Sequence, residues 1–131
     1  MHQAPQDLYD AAFAVLNHSY SPYSNYKVAC ALRSQDGEIF SGCNVENASY
    51  SVVLCAEASA LGTMVSQGQR LITEVLIIVD DKRVASPCGS CRQRLFELSS
   101  ADTVVHMCTT SHQYEQARLH DLLPLAFELE R

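Results

Sequence analysis

Cys55, Cys88 and Cys91 are three soft metal donors, and Glu57 stands two residues after the first of them. The chain reads Cys55-Ala56-Glu57 and, further on, Pro87-Cys88-Gly89-Ser90-Cys91. Three thiolates suit zinc, and three protein ligands leave a fourth tetrahedral position open to water, whereas a structural zinc closes all four. A carboxylate that is not a ligand can take the proton such a water loses and hand one to a leaving group. The set therefore reads as a catalytic zinc centre with Glu57 as its acid–base group. Three thiolates around one divalent ion leave an excess negative charge, which makes the metal a weaker Lewis acid than one held by neutral histidines.

Other uses of the same residues stay open. A closed structural zinc would need a fourth ligand such as Cys43, Cys108 or a histidine, and would have no need of Glu57. A redox pair at Cys88 and Cys91 would normally follow the first strand of a thioredoxin-like unit, whereas here it comes late and with a third cysteine. Cys30, Cys43 and Cys108 fall on predicted strands, where a buried thiol is the ordinary outcome. His2, His18, His106, His112 and His120 show no paired ligand spacing and read as surface or ordinary core residues.

The elements that position these groups follow from hydrophobic periodicity. Leu8, Ala11, Ala12, Val15 and Leu16 recur at helical spacing and predict an amphipathic helix over about residues 5–19. Pro22 with its serines, tyrosines and Asn25 predicts a loop, whose rings either wall a small-molecule pocket or pack beneath the loop. Residues 27–33 and 38–43 are short runs of strand formers joined across Asp36-Gly37, a hairpin signal that makes them antiparallel neighbours. Residues 44–54 have no clear period and read as a functional connection. Asn44 and Glu46 alternate there, so an extended backbone aims both one way. Side by side they can bind a diol, or simply satisfy a polar turn.

Cys55 opens a predicted helix to about residue 67 with Ala56, Ala60, Leu61, Met64 and Val65 on its apolar stripe, ended by Gly68. Residues 71–79 form a continuous apolar strand of the kind covered on both faces. Residues 88–98 read as another helix through Cys91, Leu95 and Leu98. Cys88 and Cys91 are three apart at its start, the spacing that puts two side chains on one face. Two helix N-termini thus converge on the thiols, and their partial positive charge lowers thiol pKa. A strand over 103–109, an edge strand over 113–117 and a helical turn over 119–123 complete an α/β domain with a mixed sheet.

At 131 residues the chain is the size of one domain able to bury a core, and residues 1–131 read as a single unit. Its net charge of −6 argues against a phosphate-tracking groove, so no nucleic-acid partner is expected. The first ten residues are polar and lack the apolar core of a secretory signal, so the six cysteines are expected reduced and the protein cytoplasmic. No apolar run approaches the roughly 18–20 residues that span a bilayer, and no membrane partner is expected.

Cys-x-Glu followed by Pro-Cys-x-x-Cys is the signature of zinc nucleobase deaminases in their three-cysteine form. With Tyr20-Ser21-Pro22-Tyr23-Ser24, Gly42-Cys43-Asn44-Val45-Glu46-Asn47-Ala48 and Leu122-Leu123-Pro124-Leu125-Ala126-Phe127, the chain resembles the small, homotetrameric cytidine deaminases along nearly its whole length. The resemblance implies a three-layer α/β/α sandwich with a five-stranded mixed sheet, one zinc per subunit on Cys55, Cys88 and Cys91, and Glu57 as catalytic acid–base. It implies hydrolytic deamination of free cytidine and deoxycytidine, a pyrimidine-salvage step, in a homotetramer with shared active sites. Asn44 and Glu46 then hold the ribose. Tyr26 packs on the base where phenylalanine is usual, and Ala56 and Tyr50 line the pocket. Phe127 either reaches a neighbouring subunit's site or packs in the core. Many relatives carry an arginine directly after the glutamate to temper the thiolates; here that position is Ala58, which leaves Arg92 as a local donor. Two further readings remain: a deaminase of the same fold acting on another amino-heterocycle or modified nucleoside, and a non-catalytic zinc-stabilised interaction protein.

Overall fold

A computed structural model describes residues 3–130; His2 lies outside them. The Asp36-Gly37 turn folds as its composition demands, Gly37 taking φ +87° where a side chain would be strained. It joins β1 (Val28–Ser34) to β2 (Ile39–Cys43) in an antiparallel pair with Leu32 opposite Phe40. β3 (Ile72–Val79) pairs antiparallel with β1 and parallel with β4 (Ser99–Thr109), and β5 (Tyr114–Arg118) closes the far edge. The result is a five-stranded mixed sheet in the order β2-β1-β3-β4-β5.

Strand residues alternate between the two faces, and each face has its own helices. Ala29, Ala31, Leu76, Ile78 and Cys108 pack under α1 (Gln6–Leu16), which buries Leu8, Tyr9, Ala12 and Leu16. Cys30, Leu32, Val75, Ile77, Val105 and Met107 face the other way, toward α2 (Ala56–Ser66) and α3 (Gly89–Glu97). This is the three-layer α/β/α sandwich that the resemblance implies. The central β3 is buried from Val75 to Val79, as a strand covered on both faces must be.

Two differences from expectation have local causes. α1 stops at Leu16, because residues 17–26 turn to reach Asn44. β4 starts at Ser99, ahead of its apolar run. An irregularity between Ile72 and Glu74 accommodates the extra residues, with the Thr103 hydroxyl donating to the Ile72 carbonyl at 2.7 Å.

Gly42 sets the distance between β2 and α2. A Cβ built there would stand 2.5 Å from the Ala60 nitrogen and 2.6 Å from Ser59 Oγ, so only glycine lets the helix lie this close. Among the described residues no helix is long and apolar enough to cross a membrane.

Candidate metal centre and active site

Cys55 is the N-cap of α2 and Cys88 the N-cap of α3, while Cys91 sits in the first turn of α3. The three sulfur atoms lie within 4.8 Å of one another. Convergence of two helix starts is thus realised, and no side chain caps either helix. Cys91 is buried, Cys55 half-buried and Cys88 exposed.

The electrostatics of the donors fit a cation. Burial pushes Cys91 up, and the neighbouring Glu57, Cys55 and Cys88 push it further. Cys55 is raised by burial and by the charges of Cys88 and Glu57. Cys88 is the exception: burial opposes its ionisation, but hydrogen bonds from Ser90 and from the Cys91 backbone bring its thiol below the ordinary value. Three such groups become thiolates together only beside a cation. Sulfur donors at this spacing suit zinc.

Glu57 is 6 % exposed, inside the first turn of α2. Burial pushes its carboxyl up, partly offset by its own backbone N–H and by the charge of Arg94. A cavity of about 190 Å³ joins these groups, lined by Tyr26, Val28, Asn44, Val53, Cys55, Ala56, Glu57, Ile77, Ala85, Ser86 and Cys88. Of the expected site residues it therefore unites Cys55, Cys88, Glu57, Ala56, Asn44 and Tyr26.

Glu46 and Tyr50 line a neighbouring hollow of about 250 Å³ with Tyr23, Ser24, Asn47 and Val53; Val53 belongs to both. The Glu46 carboxylate accepts from the backbone N–H groups of Tyr23 and Ser24 at 3.0 and 3.2 Å, and from the Ser24 hydroxyl. Tyr50 is 81 % exposed, on a 3-10 turn at Tyr50–Val52. Phe127 lies apart from both hollows. Its backbone is held by Gln93, whose Nε2 donates to the Phe127 carbonyl at 2.9 Å and whose Oε1 accepts from the Phe127 N–H at 3.2 Å.

Asn44 does more than either earlier reading assigned it. Its Oδ1 accepts from the Val28 N–H at 3.0 Å and from the Ser19 hydroxyl, and its Nδ2 donates to the Tyr26 carbonyl at 2.8 Å. The amide ties the tyrosine-rich loop to β1, and one Nδ2 proton is left for another acceptor.

Arg92 was the expected donor to the thiols, and the structure corrects this. Its guanidinium turns away, donating to the Pro87 carbonyl at 2.7 Å, the Leu122 carbonyl at 2.8 Å and Ser86 Oγ at 3.0 Å. The cation that does reach the cluster is Arg94, whose Nη1 stands 3.7 Å from Cys91 Sγ and 3.2 Å from Ser90 Oγ. Helical geometry explains the exchange: a residue next to Cys91 points off its face, and one three further on shares it. The spacing Cys91-x-x-Arg94 was the signal available in the sequence.

Fold and site together define a class: an α/β/α sandwich carrying an open three-thiol metal centre with a buried acid beside it. The family model for the cytidine and deoxycytidylate deaminase zinc-binding region matches residues 2–107. A cytidine deaminase of Halalkalibacterium halodurans is 38 % identical over 125 residues, covering 95 % of each chain. That of Mycoplasma pneumoniae is 40 % identical over 115 residues, 86 % of each. The crystal structure of cytidine deaminase from Burkholderia pseudomallei superposes with a TM-score of 0.89 at 37 % identity, covering 95 % of this chain and 100 % of that one. The chain belongs to the cytidine and deoxycytidylate deaminase family, whose matched region is zinc-binding.

Proposed function

We propose that this protein, acting as a single domain, hydrolyses free cytidine and deoxycytidine to uridine and deoxyuridine with release of ammonia. The observation that carries the reading is Glu57, buried beside three converging thiols and lining one cavity with two of them, Cys55 and Cys88. Cys55, Cys88 and Cys91 would hold the zinc. When bound there, zinc supplies an activated water by lowering its pKa. Glu57 takes a proton from the attacking water and delivers it to ring nitrogen 3 of cytosine, which makes carbon 4 electrophilic. The water oxygen bonds to carbon 4, Glu57 carries its second proton to the amino group, and the carbon 4–nitrogen bond breaks to release ammonia and leave the carbonyl of uridine. Burial supports this role, since it raises the carboxyl above its ordinary value and so strengthens it as a proton acceptor.

Tyr26 packs on the base above Ala56. The spare Nδ2 proton of Asn44 donates to a ribose hydroxyl, and Glu46 accepts one, since a carboxylate has room beyond the three donors it already holds. The two linked hollows suit this division, base against the thiols and sugar toward Glu46. A carboxylate on the sugar side repels a 5′-phosphate, which favours nucleoside over nucleotide.

The working assembly is a homotetramer in which Phe127 completes a neighbour's site. Exposed Tyr50, Val52, Val53 and Leu54 at the mouth, and Leu125, Phe127 and Leu129 in the tail, support this, because apolar groups gathered on a surface mark contacts. The six free cysteines suit the reducing cytoplasm.

Zinc-loaded protein mixed with cytidine, deoxycytidine and cytidine monophosphate, with and without a strong chelator, tests the reading through ammonia release. Chelator-sensitive turnover of the two nucleosides alone is expected. Bound zinc with no ammonia from any of them overturns it.

A further inference from the structure

Three thiolates around a divalent ion leave one negative charge over, and a site that must activate water is weakened by it. The position after Glu57 is Ala58, which carries no charge. Arg92 is committed to two carbonyls and a hydroxyl away from the sulfurs. Arg94 alone among the described arginines is hydrogen-bonded to a thiol of the cluster, at 3.7 Å from Cys91 Sγ. It is also tied in place: the same Nη1 donates to Ser90 Oγ at 3.2 Å, and Ser90 Oγ lies 3.4 Å from Cys88 Sγ. One guanidinium therefore contacts one sulfur directly and a second through a hydroxyl.

We propose that Arg94 is the positioning residue that balances the charge of the three-cysteine centre, with Ser90 as its tether. This rests on the zinc-deaminase reading above. An N–H hydrogen bond to a coordinating sulfur draws electron density from it and lowers its donation to the metal, as outer partners of ligands do generally. The guanidinium cancels the surplus charge, so the three sulfurs stay ionised together and the metal stays electrophilic. Arg94 stands on the helix that carries Cys91, one turn along and on the same face. Arg94 lines neither hollow, so it acts through the ligands and through the charge it presents to Glu57, and not by touching substrate.

The test compares Arg94→Gln, Arg94→Lys and Ser90→Ala with wild type. Arg118→Gln, on the edge strand β5 and with no hydrogen bond to a thiol of the cluster, controls for loss of a positive charge. Zinc dissociation constants come from competition with a chromophoric chelator, the sulfur-to-metal charge-transfer band from cobalt-substituted protein, and kcat and KM from cytidine turnover. Arg94→Gln is expected to weaken zinc by about 10–100-fold, the usual cost of losing an outer partner of a ligand. It should also shift the charge-transfer band to lower energy and lower kcat with KM unchanged. Arg94→Lys should recover most of each, Ser90→Ala should fall between, and Arg118→Gln should match wild type.

Arg94→Gln with wild-type zinc affinity and an unmoved band overturns the proposal. So does Arg94→Lys as deficient as Arg94→Gln, since charge would then not be what matters. The wild type binding zinc without turning over cytidine defeats the functional reading alone, because the affinity and cobalt comparisons still read Arg94.

Discussion

The two faces of the sheet each carry a cluster of ionisable groups, and the clusters are built oppositely. Under α1, Asp7, Arg33, Glu74 and His106 run across three strands in alternating partnership. Arg33 pairs with Asp7 at 2.8 Å and with Glu74 at 2.8 Å, and Glu74 meets His106 Nε2 at 2.8 Å. His106 Nδ1 meets Tyr114 Oη at 2.7 Å, and Tyr114 donates onward to Gln116 at 2.9 Å. Donor follows acceptor along the chain, and nothing further is required. Under α2 and α3, Cys55, Cys88, Cys91 and Glu57 are gathered with Arg94 as their cation. Matched charges stabilise a fold and are content. Like charges held together at a cavity store a demand for a cation, and that demand is what marks the second cluster as functional.

Removing a member from each cluster should therefore have opposite consequences. The largest effect is expected from Cys91→Ala: the protein loses its stoichiometric zinc by metal analysis, and ammonia release with it. A variant that kept both would show that the thiols are not the ligands. Gly42→Ala touches no charge but drives a Cβ against the Ala60 backbone and Ser59. Forcing α2 outward should cost about 1–3 kcal/mol in denaturant unfolding. It should also weaken zinc, because Cys55 and Glu57 ride on that helix.

Glu74→Ala breaks the matched chain at its centre. Partial exposure of the carboxylate limits the loss to about 1–2 kcal/mol, and turnover per folded molecule should be unchanged. The same variant sharpens the contrast with pH. Asp7 is held below its ordinary 3.8 by the Arg33 hydrogen bond. Glu74 lies below its ordinary 4.5 because, although burial pushes it up, hydrogen bonds from His106 and Arg33 outweigh that. A carboxylate lowered in the folded state binds fewer protons there than in the unfolded chain. Its contribution is complete above the ordinary value and drains as pH falls through the folded one. Unfolding midpoints should thus drop in acid below about pH 4.5, and less steeply in Glu74→Ala. An equal slope in both proteins would remove Glu74 as the cause. The smallest effect belongs to Asp7→Asn, about 0.2–1 kcal/mol by the same measurement, since the Asp7 end of the chain is in water.

Legibility followed locality. The hairpin, the three helices and the strands between them were readable from periodicity and turn residues, because side chains a few positions apart decide them. The three thiols and Glu57 were readable for the same reason: each pair sits on one helix start, where spacing alone sets direction. Sequence left Arg92, the chain neighbour of Cys91, as a local donor, whereas the residue that reaches Cys91 is Arg94, three further on and on the same helix face. The polar chain under α1 gave no warning, since Asp7, Arg33, Glu74 and His106 lie on four different elements.

The sequence by itself determined the kinds of element and the chemistry of the donors, because propensity, hydrophobic period and ligand type are carried by each residue and its near neighbours. Tertiary structure decided what those residues meet. Packing on opposite faces of one sheet separated the self-satisfied charges from the thiols. It bound Asn44 to three partners from distant segments, set Glu46 in its own hollow, and fastened Phe127 to Gln93 on the helix that bears Cys91. Such pairings span long loops, and their closure is rewarded only when the whole sheet is in place.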